Sequence, residues 1–175
     1  MGKSRADLRE EDVAQEKKTD EQVQMVVTSL SNEEYGIPIM QVQEIIKIPE
    51  ITRIPNMPDF IEGVINLRGK IVPVIDLRKR FNLQQHQHSE DTRIVVSTIE
   101  TNSVGLIVDS VSEVIRLSSS VIDPIPPAIS HIGTEYLNGV GKLDSRLIIL
   151  LNLEKILSDL EKSSLKRIET EKTED

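Results

Sequence analysis

The sequence MPDFIEGVINLRGKIVPVIDLRKRF, from Met57 to Phe81, contains two runs rich in valine and isoleucine. The first runs from Gly63 to Leu67 and the second from Ile71 to Leu77, and only a short polar break that includes Arg68-Gly69 separates them. Because β-branched residues favour strands and glycine adopts positive φ without steric cost, this stretch predicts a β-hairpin. Arg68 then lies near the tip, where core packing does not require a guanidinium.

Pro73 interrupts the second run of this hairpin. Proline has no N–H to donate to a neighbouring strand, so the second strand is predicted to lie at a sheet edge or to be bulged there.

An internal duplication extends over most of the chain. MVVTSL at Met25–Leu30 matches IVVSTI at Ile94–Ile99, 69 positions later (25 to 94), and FIEGV at Phe60–Val64 matches YLNGV at Tyr136–Val140, 76 positions later (60 to 136). The second copy therefore carries about seven extra residues, expected in the Pro-rich loop Asp123–His131. The copies are predicted at about residues 23–83 and 92–157, joined by the polar connector 84–91.

Each copy reads as strand, turn, strand, a short helical or irregular piece, a Pro-containing loop and a hairpin. Short strands with turns between them favour a mainly β fold of two small barrels that share an interface. Residues 1–22 are predicted to be a flexible charged tail. Residues 23–157 form the predicted domain, and apolar residues at helical spacing from Leu153 predict a C-terminal amphipathic helix and tail that reach through residues 158–175.

Composition excludes several classes of function. The 175 residues are 38% hydrophobic with a net charge of -8 and no cysteine. No basic stripe suits nucleic acid, and neither a disulfide nor a thiolate metal site can form. No apolar run approaches the length of about 20 residues that spans a bilayer, and no signal peptide is recognisable. We therefore expect a cytoplasmic protein with no membrane insertion.

The sequence contains few residues or motifs suited to catalysis or metal binding. His86 and His88 lie in the polar connector without a third ligand in reach, and a solvated loop is the favoured interpretation. Asp76, Asp109 and Glu44 could act as acid–base carboxylates, but caps and turns are favoured for the aspartates. No phosphate-binding loop or nucleophile motif is present. We predict no catalytic residue, no metal and no cofactor.

The segment Ile39–Ile46 is a candidate for binding. If helical, it places Val42, Ile45 and Ile46 on one face, most of them in the core. An apolar subset left exposed beside Arg68 would form a groove for an amphipathic partner helix. Arg68 itself either pairs with a carboxylate, with Glu44 favoured, or reaches a partner.

Several motifs together resemble those of the CheW family, the adaptors that couple chemoreceptors to the histidine kinase CheA in bacterial chemotaxis. These are EEYGIPI (33–39), VQEI (42–45), TRIPNMP (52–58), FIEGVINLRGKIVPVIDLR (60–78), VGLIVDSVSEV (104–114) and TEYLNGVG (134–141). The resemblance covers roughly residues 23–157 and implies two intertwined SH3-like β-barrel subdomains. The free adaptor is the better match than the related modules of CheA and CheV, because neither a kinase region nor a receiver domain flanks the module here.

The resemblance implies a non-catalytic bridge between two partners, the cytoplasmic tip of methyl-accepting chemoreceptors and the regulatory domain of CheA. It implies coupling roles for a set of matching positions, the last three more weakly: Val42, Glu44, Ile45, Gly63, Arg68, Val111, Val114 and Gly139. Two alternatives stay open. One is a CheW-like scaffold for a non-chemotactic histidine kinase pathway; the other is a small β-barrel enzyme or ligand binder with a deep polar pocket of Asp76, Asp109 and a histidine.

Overall fold

The computed structural model describes residues 21–128, 134–158, 161–163 and 165–166. The predicted N-terminal tail falls almost entirely outside the described residues, as do His131 and part of the predicted C-terminal helix. The limits of residues 23–157 stay a prediction.

Eleven strands, two short α-helices and three 3-10 turns lie wholly within the described residues. The strands are β1 Gln22–Leu30, β2 Glu33–Pro38, β3 Val42–Lys47, β4 Ile61–Leu67, β5 Lys70–Asp76, β6 Arg93–Ile99, β7 Asn102–Val108, β8 Ser110–Ser118, β9 Ile122–Asp123, β10 Leu137–Leu143 and β11 Arg146–Leu151. The α-helices are Leu77–Arg80 and Leu153–Ile156, and the 3-10 turns are Ile39–Gln41, Ser119–Val121 and Thr134–Tyr136.

Two sheets exchange strands between the copies. One sheet has the order β8-β1-β2-β11-β10-β9 and the other β3-β6-β7-β5-β4. The parallel pairs β2–β11 and β5–β7 each join one copy to the other, and so do the antiparallel pairs β1–β8 and β3–β6. Because both sheets contain strands of both copies, the structure confirms the prediction of a mainly β fold with two intertwined subdomains. Each copy is too small to bury its apolar strands alone.

The hairpin β4–β5 confirms the reading of the sequence between Met57 and Phe81. Its turn residues Arg68 and Gly69 have φ of 53° and 83°, as a two-residue turn matched to strand twist requires. The prediction of an edge strand at Pro73 is wrong, because β5 lies between β7 and β4. Pro73 is tolerated because the pairing with β7 begins only at Val74, and the bulge lies in β4, between Ile61 and Gly63.

Two segments for which a helix was considered have a different structure. Residues 42–47 are not helical but form β3, which pairs with β6 of the other copy. At the C-terminal end the helix Leu153–Ile156 stops at Leu157, which adopts an extended conformation with φ −114° and ψ 136° and buries its side chain in the core. A single amphipathic helix running on from Leu153 is therefore wrong, although residues 161–163 and 165–166 are again helical. No helix in the described part of the chain is long and apolar enough to cross a membrane.

The main core draws on both copies and is closed by three aromatic rings. Tyr35 stacks on Phe81, which also contacts Tyr136, with ring centroids 5.9 Å and 5.5 Å apart. The Arg80 guanidinium lies over Tyr136, 5.0 Å from its ring centroid, and pairs with Glu161 at 3.0 Å. Through its ion pair with Glu161 and its contact with Tyr136, Arg80 links the C-terminal segment to the barrels.

Candidate functional site

The tip of hairpin β4–β5 reaches across to the edge strand β3. Arg68 Nη2 lies 2.5 Å from Glu44 Oε2, which confirms the predicted pairing of these two residues. The side chain of Arg68 is 77% exposed and that of Glu44 is 24% exposed. An ion pair so open to water contributes little to stability, but it holds the guanidinium beside β3, where a partner can reach it.

Alternation along β3 decides which aliphatic side chains face water. Val42 is half-buried against the main core, and Ile46 is half-buried against a second core cluster. Ile45 points the other way and is 42% exposed. Of the three, Ile45 is thus the side chain available for contact, on the opposite side of β3 from Glu44. Glu44, Arg68 and Lys70 are called the first face below.

Met40 is an exposed apolar residue that the sequence reading missed. It lies in the 3-10 turn just before β3 and is 92% exposed. Hydrogen bonds from the Gln41 side chain to the Thr98 carbonyl and to Glu154 hold this turn in place. The sequence signal that could have identified Met40 is its position between Pro38 and β3, in a turn whose residues pair with no other strand.

Gly63 and Gly139 are buried at equivalent bulges rather than exposed on a binding surface. Gly63 has φ +146°, and a Cβ there would lie 2.1 Å from the carbonyl oxygen of Thr52. Thr52 forms a β-bridge with Val64, the residue after Gly63. Gly139 has φ +141° and faces the carbonyl of Asp123 in the same way. Both glycines let a neighbouring backbone approach closely, which is sufficient physical reason for their presence.

The second copy builds a comparable surface at β8, an edge strand of the other sheet. Val111 is half-buried against the main core, whereas Val114 is 52% exposed. Arg146, at the start of β11, contacts Glu113 at 2.6 Å and Glu34 at 3.0 Å. Leu147, the next residue, is 40% exposed. The sequence alignment of the copies placed Asp144 opposite Arg68, and so it did not reveal that Arg146 supplies the guanidinium.

The carboxylates weighed as catalytic groups are bonded within the fold. Asp76 is the N-cap of the helix Leu77–Arg80 and accepts a hydrogen bond from the Arg78 N–H. Burial raises the pKa of Asp76 above its ordinary value despite that bond. Asp109 receives the Arg78 guanidinium through both carboxylate oxygens, at 2.7 Å and 2.5 Å, and the N–H of Ser31 at 3.0 Å.

The Asp109 carboxylate is held ionised by these donors. Burial alone would raise its pKa, but the hydrogen bonds from Arg78 and Ser31 and the positive charge of Arg78 outweigh burial and lower the pKa. A carboxylate with a depressed pKa and two bound donors is a poor general base. Among the described residues, no group of three histidine, aspartate or glutamate side chains could hold a metal ion.

Comparison with known proteins supplies the family. The family model of the CheW-like domain matches residues 24–161. Among curated relatives, the chemotaxis protein CheW of Klebsiella aerogenes is 46% identical over 138 residues, covering 79% of this chain and 83% of that protein. The chemotaxis protein CheW of Treponema pallidum is 37% identical, covering 83% of this chain and 88% of that protein. Among solved structures, the scaffolding protein TtCheW of Thermoanaerobacter tengcongensis matches with a TM-score of 0.73 and 44% identity, covering 79% of this chain and 89% of that chain.

Proposed function

This chain belongs to the CheW family of chemotaxis scaffold proteins, and from that premise we propose that it is a non-catalytic adaptor that couples chemoreceptors to the histidine kinase CheA. The proposed partners are the cytoplasmic tip of methyl-accepting chemoreceptors and the regulatory domain of CheA. The observation that carries the proposal is the Arg68–Glu44 pair, which presents a mostly exposed guanidinium at the tip of hairpin β4–β5 on a protein of this family.

The geometry of the first face suits a protein partner. Its hairpin tip is open to solvent and carries charged groups that a partner of complementary charge can contact, and Ile45 is exposed on the other side of the same edge strand. The carboxylates that an enzyme or ligand binder would use are instead engaged as a helix cap and an ion-pair partner. We therefore propose that signal passes through how the two partners are held, with no bond made or broken on this chain.

Both candidate faces lie at edge strands. β3 and β8 each end a sheet, paired on one side only, with β6 and β1 respectively. A protein that must hold two partners at once needs two separate surfaces, and the duplication supplies two edges of the same kind. Val42, Gly63, Val111 and Gly139 support these faces from within, while Ile45, Val114, Glu44 and Arg68 are proposed to make contact.

The test is an NMR titration of labelled protein with a chemoreceptor tip fragment and, separately, with the regulatory domain of CheA. We expect two distinct sets of shifted resonances, one of them including Glu44, Ile45 and Arg68. Absence of shifts with either partner would refute the coupling function and leave a CheW-like scaffold for a different pathway.

A charge reversal makes this test residue-specific. Arg68→Glu is expected to weaken binding of one partner by about tenfold, because a charge at a contact rim is replaced by its opposite. The matched control is Arg53→Glu, which makes the same change at another exposed arginine. Equal binding by Arg68→Glu and native protein would remove Arg68 from the proposed contact surface.

A further inference from the structure

Met40 is the most exposed large apolar residue in the described part of the chain. It is 92% exposed, whereas the next in order, Val114, is 52% exposed. A thioether is the most easily oxidised group among the apolar side chains, and its reaction requires access from solvent. The sulfur of Met40 is therefore open to small oxidants.

Burial distinguishes Met40 from the other methionines that the structure describes. Met25 is 5% exposed and packs in a core cluster with Val27 and Leu117. Met57 is half-buried against the main core. The chain has no cysteine, so no thiol of this protein competes for the oxidant. Because susceptibility to oxidation follows exposure, three side chains of the same chemistry should react at different rates.

The 3-10 turn that carries Met40 is anchored through its neighbour. Gln41 Nε2 donates hydrogen bonds to the Thr98 carbonyl oxygen at 3.3 Å and to Glu154 Oε1 at 3.0 Å. Retracting Met40 from solvent would require this turn to move and these bonds to break. The fold thus presents the thioether in a fixed place at the surface.

That place is directly before the edge strand that is proposed to meet a partner. β3 begins two residues after Met40, and it carries the exposed Ile45 and the Glu44 that pairs with Arg68. Methionine suits a contact of this kind, because its unbranched side chain adapts to the surface that it meets. A change of polarity at Met40 therefore falls on the segment that leads into the proposed contact.

We propose that Met40 is a reversible oxidation site and that its sulfoxide weakens binding of the partner that contacts β3. The oxidant is a two-electron oxygen donor, hydrogen peroxide or hypochlorous acid. One oxygen atom is transferred to the Met40 sulfur, which is oxidised by two electrons, while peroxide is reduced to water or hypochlorous acid to chloride and a proton. Methionine sulfoxide reductase reverses the step, with two thiols oxidised to a disulfide and the oxygen released as water.

The sulfoxide weakens binding because it replaces an apolar group with a polar one. Its oxygen accepts hydrogen bonds from water, and these are lost when an apolar partner surface covers it. The fold itself is unaffected, since the side chain lies outside every core cluster. This inference rests on the proposed function and adds a way in which the coupling is regulated.

The first test measures where the full chain is oxidised. The protein is treated with graded hydrogen peroxide for short times, and the sulfoxide at each methionine is measured by mass spectrometry of peptides. We expect Met40 to react at least about fivefold faster than Met57, and Met25 to react more slowly still. In urea, where the chain is unfolded, the three rates should become similar. Equal rates at Met40 and Met57 in the folded protein would overturn the inference.

The second test measures binding to a chemoreceptor tip fragment and to the CheA regulatory domain. Each protein is compared with its own untreated sample, under conditions that oxidise Met40 alone. We expect oxidation to lower the affinity for one partner by about fivefold or more, and reduction by the reductases to restore it. Met40→Leu has a side chain of similar volume that cannot be oxidised, so its affinity should not respond to peroxide.

Met57→Leu is the matched control, because it removes the half-buried thioether and leaves Met40 in place. Its affinity should respond to peroxide as the native protein does, with an unchanged circular dichroism spectrum. An unchanged affinity of native protein oxidised at Met40, or an equal loss in Met40→Leu, would overturn the inference. If the untreated native protein binds neither partner, the proposed function itself is refuted, and the rates still decide whether Met40 is the oxidation site.

Discussion

Asp109→Asn removes the negative charge that faces the Arg78 guanidinium and so tests whether this carboxylate is structural. The Arg78 side chain is 11% exposed and that of Asp109 is 33% exposed, with two hydrogen bonds between them. Breaking a fully buried ion pair by removing one partner costs about 3 to 5 kcal/mol. Because water reaches one side of Asp109, and asparagine still accepts one hydrogen bond, we expect a loss of about 2 kcal/mol for Asp109→Asn.

Asp109→Ala should cost more, since it also leaves the Ser31 N–H without its acceptor. An unsatisfied donor in a partly buried position adds about 1 kcal/mol, which brings the expected loss to about 3 kcal/mol. For a chain of this length such a loss lowers Tm by about 6 to 12 °C. Urea unfolding followed by circular dichroism at pH 7 measures both variants, with Asp91→Asn in the exposed connector as the control.

The pH dependence gives an independent check. The folded pKa of Asp109 lies below its unfolded value of about 3.9, so its contribution is fully present above the unfolded pKa and is lost as the pH falls through the folded pKa. The stability difference between native protein and Asp109→Asn should therefore shrink below about pH 4. Equal stability of native and variant at pH 7, or a difference that grows as the pH falls, would refute the structural role assigned to this pair.

Three further changes have defined outcomes. Gly63→Ala places a Cβ against the Thr52 carbonyl at positive φ and should cost about 3 kcal/mol in urea unfolding; a loss under about 1 kcal/mol would show that the bulge relaxes. Asp76→Asn keeps an N-cap acceptor and removes a partly buried negative charge. Because burial disfavours the ionised form and raises the pKa of Asp76, Tm should be unchanged or higher at pH 7. A clear loss of Tm would mean that ionised Asp76 is stabilising. Ile45→Asp should leave Tm within a few degrees but reduce partner binding in the titration, and unchanged binding would exclude Ile45 from the contact surface.

The local features of this protein were readable from short stretches of sequence. The hairpin around Arg68 follows from two β-branched runs and a glycine that accepts positive φ, and all of this information lies within a few residues. The cap at Asp76 was likewise favoured from its residue type and position. The pairing of Arg68 with Glu44 could be predicted because the hairpin and the preceding segment belong to the same copy.

Other features depend on residues that are distant in sequence. Residues 42–47 carry a pattern compatible with a helix, but β6 of the other copy offers them a strand partner, and backbone pairing there overrides the helical spacing. Pro73 looked like an edge residue because local sequence does not show where the neighbouring strand begins to pair. Leu157 ends its helix because its side chain is buried in a core that both copies build.

The same distinction applies to the candidate site. Sequence comparison of the copies identified equivalent positions, but exposure separates Ile45, which faces water, from Val42, which packs inside. The Glu113–Arg146–Glu34 cluster joins residues of both copies, and only the packing of β2 beside β11 brings Glu34 to Arg146. Backbone preference and periodicity are properties of neighbouring residues, whereas burial and charge pairing depend on which strands of the two copies meet in space.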